Sequence, residues 1–188
     1  MSILYGLLAI AVFLLGWPYF RCFFKRVTCM RKLKKVCRTK GYQLHKTHFF
    51  WFLGHKNAKK CDFYIETRNQ VFAVKLFGMP NRRTVLIFKE NGEYMIRRFT
   101  AFISYGSAVR FPIDSKPRKM PTYHFRYRYR DAWEIKTPRR VLLVNPVSME
   151  FRRTPSHGKE ILLGAGEVVC GMEIDSLPRL LADLESAL

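Results

Sequence analysis

Met1 to Phe20 carries no Lys, Arg, His, Asp or Glu and is almost wholly apolar, and Arg21 to Lys40, directly after it, holds nine Lys or Arg and no acid. At a helical rise of about 1.5 Å, about twenty residues cover a hydrocarbon core of about 30 Å, so residues 1–20 are expected to form a transmembrane helix. Trp17 and Tyr19 flank Pro18 at its end, where amphipathic rings sit at headgroup depth. No basic residue precedes the run and no small-residue cleavage site follows it, which favours an anchor over a signal peptide. The positive-inside rule then puts the N-terminus outside and the remainder of a single-pass cell-membrane protein in the cytoplasm.

From Phe24 to Lys40 there is no Gly or Pro, and Val27, Met30, Leu33 or Lys34, and Cys37 share one stripe. This predicts a basic juxtamembrane helix over 21–40, with Gly41 as its C-cap. Beyond it the period shortens to two. Strands are expected over Tyr42–Phe52, and over Cys61–Thr67 and Val71–Phe77 as a hairpin around Arg68-Asn69-Gln70. A second hairpin is expected over Thr84–Lys89 and Glu93–Phe99, with Asn91-Gly92 as a type I′ centre. Tyr105–Phe111 reads as a strand, Pro112–Pro121 as a basic loop, and Tyr123–Arg130 as strict alternation. Arg140–Val144 is a short apolar strand, and Ile161–Leu163 with Val168–Ile174 reads as a hairpin across Gly164-Ala165-Gly166. Ser176 can cap a last helix with Leu177, Leu180, Leu181, Leu184 and Leu188 on one face. The expected fold class is α+β: an N-terminal transmembrane helix, then a sheet-rich cytoplasmic domain over 41–188 with flanking helices.

Charge changes this picture by pointing to partners. Residues 1–40 carry +9, 41–140 carry +14 and 141–188 carry −3, within a chain of formal net charge +20. Such a basic domain is expected to meet anionic membrane lipid, nucleic acid or a membrane-protein partner. Lys32, Lys34 and Lys35 on the juxtamembrane helix are candidate polyanion contacts. So are Arg126, Arg128 and Arg130, which fall on one face of their strand with His124 while four aromatics take the other. The five cysteines are scattered without a CxxC pair and read as reduced thiols.

Catalytic signatures are sparse. His45 and His48 would point to opposite faces of a strand, so with His55 and Cys61 they make no metal site, and no GxSxG, Walker or GxGxxG sequence occurs. The richest stretch is Cys61-Asp62-Phe63-Tyr64-Ile65-Glu66, a turn, then Val71-Phe72-Ala73-Val74-Lys75. In the order basic helix, strand, Asp-bearing strand, Lys-bearing strand, residues 25–78 resemble the αβββ core of the PD-(D/E)xK nuclease-like superfamily, including its membrane-anchored nuclease-related members. The resemblance implies a metal-binding aspartate at Asp62 and a catalytic lysine at Lys75, with Glu66 as the further acid and a divalent ion as the cofactor. A two-residue turn at Arg68-Asn69 would bring Asp62 opposite Lys75. Ala73, however, occupies the acidic position of the E-x-K triplet, and four strand residues separate Asp62 from Glu66 by about 13 Å. The expected function is therefore a membrane-anchored, non-catalytic binding or assembly domain without a cofactor. The alternative is a membrane-tethered, metal-dependent nuclease of degenerate type.

Overall fold

The computed structural model describes residues 2–47, 61–79, 84–104, 107–120, 138–145, 148, 150–156 and 158–187. The strand expected at Tyr123–Arg130, and with it Arg126, Arg128 and Arg130, lies outside the described residues, as do His48 and His55.

The first helix overturns the expected topology. α1 (Ser2–Lys40) is one element of 39 residues that continues through Pro18 and the basic stretch. Among the described residues no helix is long and apolar enough to cross a membrane. The transmembrane helix over 1–20, the single-pass topology with its N-terminus outside, and the cell-membrane localisation are corrected accordingly. The reason lies in how α1 is used. Its basic half docks on the domain: Cys29, Met30, Leu33 and Cys37 are buried in the protein core, and Arg31, Lys32, Lys34, Lys35, Arg38 and Lys40 are the outer, exposed face of the same helix. Cys29 takes the place expected for Val27, which is only half-buried. A Schellman-type end closes the helix: Tyr42 N–H donates to the Cys37 carbonyl at 2.8 Å, and Gly41 adopts φ +71°.

Two sheets follow. The first orders β1 (Gln43–Lys46), β2 (Phe63–Glu66), β3 (Val71–Gly78), β8 (Arg139–Asn145), β12 (Met172–Ser176) and β11 (Val168–Val169). The strand pairs β1–β2 and β2–β3 are antiparallel, whereas β8 runs parallel to both β3 and β12. The second sheet orders β10 (Ile161–Leu163), β9 (Glu150–Thr154), β4 (Thr84–Lys89), β5 (Glu93–Ser104) and β6 (Ser107–Asp114), with β7 (Arg118–Lys119) also on β5. The long β3-to-β8 crossover therefore contains most of the second sheet.

Three layers result. Phe63, Ile65, Phe72, Val74, Val141 and Leu143 face α1 and α2 (Leu177–Ser186). Leu142, Val144 and Ile174 turn the other way, onto Leu86, Phe88 and Phe151 of the second sheet. β8 reads as an unbroken apolar run because both of its faces are covered. Burying one such side chain contributes about 1.5–3 kcal/mol, so its four central residues anchor both cores at once.

Several turns differ from expectation. The loop Glu90-Asn91-Gly92 has a positive φ only at Gly92, +76°, which fits a three-residue hairpin loop instead of type I′. The two-residue turn with both φ values positive is at Cys170 (52°) and Gly171 (73°), joining β11 to β12. β10 pairs with β9, so no hairpin spans Gly164-Ala165-Gly166. Pro112 lies inside β6 where a loop was expected, and β6 is an edge strand, where the missing N–H removes no ladder bond.

Candidate functional site

The β2–β3 hairpin sets the first cluster. Thr67 N–H donates to the Gln70 carbonyl at 2.9 Å, leaving Arg68-Asn69 as the turn. The register pairs Phe63 with Val74, and one step further brings Asp62 opposite Lys75. Lys75 Nζ lies 3.4 Å from Asp62 Oδ1, and Arg26 Nη1 from α1 reaches the same oxygen at 3.6 Å. Asp62 Oδ2 accepts the backbone N–H of Leu76 at 2.7 Å, and Arg26 Nη2 donates to the Leu76 carbonyl at 3.2 Å. All three side chains are buried, Asp62 to 1 % exposure.

Chemically this is a clamp. Asp62 has both oxygens engaged by cations and an amide, so a divalent ion would have to displace two positive groups to reach it. Glu66 does not join: it sits beside half-exposed His45, 3.8 Å from Nε2. Ala73 is buried and supplies no oxygen. The donor set does not fit the divalent ion that nuclease chemistry requires, and among the described residues no three His, Cys, Asp or Glu form a metal cluster. What the clamp does hold together is α1 and the β2–β3 hairpin. Arg26 was the partner that sequence reading missed, although its signal was present. It lies on the apolar stripe, three residues before Cys29 and seven before Leu33, where a cation needs a buried acid.

Just beyond the clamp, a cleft of about 410 Å³ opens between α1 and the second sheet, at the C-terminal ends of β3 and β8. Lys25, Arg26, Arg98 and Arg118 line it together with Phe77 and Tyr94, and none of its lining residues among the described ones is acidic. Phe77 and Tyr94 meet edge to face, with centroids 5.1 Å apart. Lys25 Nζ donates to the Met79 carbonyl at 3.3 Å, while Asn145 Nδ2 donates to the Lys25 carbonyl at the same distance. These bonds fix α1 against the strand ends and aim its cations at the cleft.

Several other acids pair with arginines of the sheets. Arg97 is bridged by Asp114 at 2.7 Å and Glu160 at 2.9 Å, and these pairs hold both carboxyls below their usual range. Arg139 binds Glu173 at 2.5 Å and Asp183 at 3.0 Å. Asp175, fully buried at the end of β12, keeps its Oδ1 on the Ser176 N–H at 2.7 Å, but Oδ2 has no donor among the described residues. Burial, reinforced by Asp183 and Glu173 and opposed by Ser176 N–H and Arg179, pushes its carboxyl up to about 6.

Lys32, Lys34 and Lys35 are all exposed on α1. Cys29, Cys37 and Cys61 are free and buried, with thiols raised by burial to about 12, 11 and 11, so they are packing groups and poor nucleophiles at neutral pH. No family model, curated protein or solved structure matches this chain. The nuclease-like resemblance thus rests on residues 25–78 alone.

Proposed function

We propose that this protein is a non-catalytic polyanion-binding domain that works through the cationic outer face of α1. The observation that carries this reading is the segregation of charge. α1 contains no acid between Ser2 and Lys40, its Arg31, Lys32, Lys34, Lys35, Arg38 and Lys40 are exposed, and Asp114, Glu150, Glu160 and Glu173 are engaged with Arg97, Arg152 and Arg139. A helix that exposes six cations and carries no acid attracts phosphate-bearing polymers through counterion release.

Asp62 and Lys75 supply a structural ion cluster in this reading, because Arg26 and the Leu76 amide also engage the aspartate. Fluorescence anisotropy of labelled oligonucleotides across a salt series tests the binding. Log affinity falling linearly with log salt supports it, and a flat dependence rejects it. The same preparation incubated with Mg²⁺ or Mn²⁺ tests the non-catalytic part. Cleavage that disappears in both Asp62→Asn and Lys75→Ala, with folding retained, would establish the metal-dependent nuclease in its place.

A further inference from the structure

The cleft between α1 and the second sheet combines features that the outer face of α1 lacks. On β5 the side chains of Tyr94, Ile96 and Arg98 alternate onto the cleft side. The register of β6 pairs Arg98 with Ile113 and Thr100 with Phe111, so both β6 residues share that face. Phe111 is 53 % exposed and Ile113 54 %, which makes an apolar shelf continuous with the cationic cleft. Phe111 is the diagonal cross-strand neighbour of Arg98, about 7–8 Å away. Cation and exposed ring therefore alternate on a scale that suits successive phosphates and bases.

We propose that this cleft and shelf hold a single strand of nucleic acid. Backbone phosphate lies on Arg98, Arg118 and Lys25, one base enters against the Phe77–Tyr94 pair, and the next stacks on Phe111. The proposal rests on the polyanion-binding reading and names its ligand. Three observations favour unpaired nucleic acid. The cleft is concave and too small to admit a duplex, whose bases are in any case stacked inside. Its floor is aromatic, and ring faces stack on bases of any sequence. Its rim is guanidinium-rich, and planar forks match phosphate oxygens in pairs. On α1, Lys32 follows Lys25 by seven residues, two turns or about 10.5 Å along the same side, so a strand leaving the cleft meets the exposed lysines next.

The experiment compares a labelled 20-nucleotide oligothymidylate with a 20-base-pair duplex, using the full chain, Phe111→Ala, the pair Arg98→Ala with Arg118→Ala, and the triple Lys32→Ala, Lys34→Ala, Lys35→Ala. Circular dichroism verifies that each variant is folded. The expected result is tighter binding of the single strand than of the duplex by the full chain. Phe111→Ala should weaken single-strand affinity about tenfold while moving duplex affinity little. The arginine pair should weaken the single strand further, and Arg98→Lys with Arg118→Lys should restore part of the loss. If the cleft variants bind both probes like the full chain while the lysine triple loses affinity, the cleft proposal is overturned and the α1 reading stands. If the full chain binds neither probe, both are overturned. Preferential binding to vesicles of anionic phospholipid over either oligonucleotide would replace the proposed ligand with a lipid surface.

Discussion

Asp62 shows what a single buried charge does here. Its carboxylate meets both Arg26 and Lys75, so removing it takes the shared anion away from two buried cations. Breaking a buried ion cluster from one side costs about 3–5 kcal/mol, and Asp62→Ala is expected to lower the urea midpoint by a corresponding amount. A loss below about 1 kcal/mol would mean that water reaches the cluster. Asp175 is the opposite case, an acid destabilised by its own charge. Its carboxyl titrates at about 6 in the folded chain against an ordinary value of 3.8, so on acidification the folded state takes up the proton first. Its contribution therefore favours folding at low pH and is lost as pH rises from about 4 to about 6. Asp175→Asn removes that dependence. Relative to the parent chain it should gain on the order of 2 kcal/mol between pH 4 and pH 7 in urea unfolding. Stability curves that stay parallel across that range would contradict the assignment.

At the scale of elements, local chemistry was legible wherever one residue satisfies one local need. Gly41 supplies the positive φ that ends α1, and Ser176 accepts the Arg179 N–H that starts α2. The β2–β3 turn and β8 could be read because their apolar runs are bounded by polar or turn residues. The turn at Cys170-Gly171 was not legible, since cysteine carries no turn signal; it is forced into the left-handed region by the short connection from β11 to β12. That conformation costs a residue with a Cβ roughly 1–2 kcal/mol, less for asparagine. Cys170→Asn, at an exposed site, should therefore raise stability by about 0.5 kcal/mol in thermal or urea unfolding. A destabilised variant would show that the turn is held by the thiol itself.

For the molecule as a whole, the consequential property is where the charges go once the chain is folded. Asp114, Glu150, Glu160, Glu173 and Asp183 pair with arginines of the sheets, while α1 carries no acid and the described lining of the cleft carries cations. Nucleic-acid affinity should accordingly depend on α1 as a block. Replacing Lys32, Lys34 and Lys35 together by alanine is expected to reduce the slope of log affinity against log salt by about 2, since each phosphate contact contributes about 0.7–0.9. An unchanged slope would place the contact surface elsewhere. The same scale explains the misread anchor. An apolar run followed by a basic run looks like a membrane boundary in one dimension. In three dimensions the basic half docks its apolar stripe onto β2, β3 and β8, and among the described residues no helix is long and apolar enough to span.

Composition and periodicity alone determined that the chain is basic and sheet-rich, with a long first helix, a β2–β3 hairpin that opposes Asp62 to Lys75, and a capped last helix. These follow from local rules, because side-chain alternation, caps and turns act over a few residues. Tertiary structure decided the rest: that Arg26 joins the Asp62 cluster, that Glu66 lies beside His45 instead, that the crossover supplies most of a second sheet, and that Lys25, Arg98 and Arg118 converge on one cleft. Arg26 lies 36 positions from Asp62, and Lys25 lies 73 from Arg98 and 93 from Arg118, so only the packing of α1 beside the strand ends brings each set together.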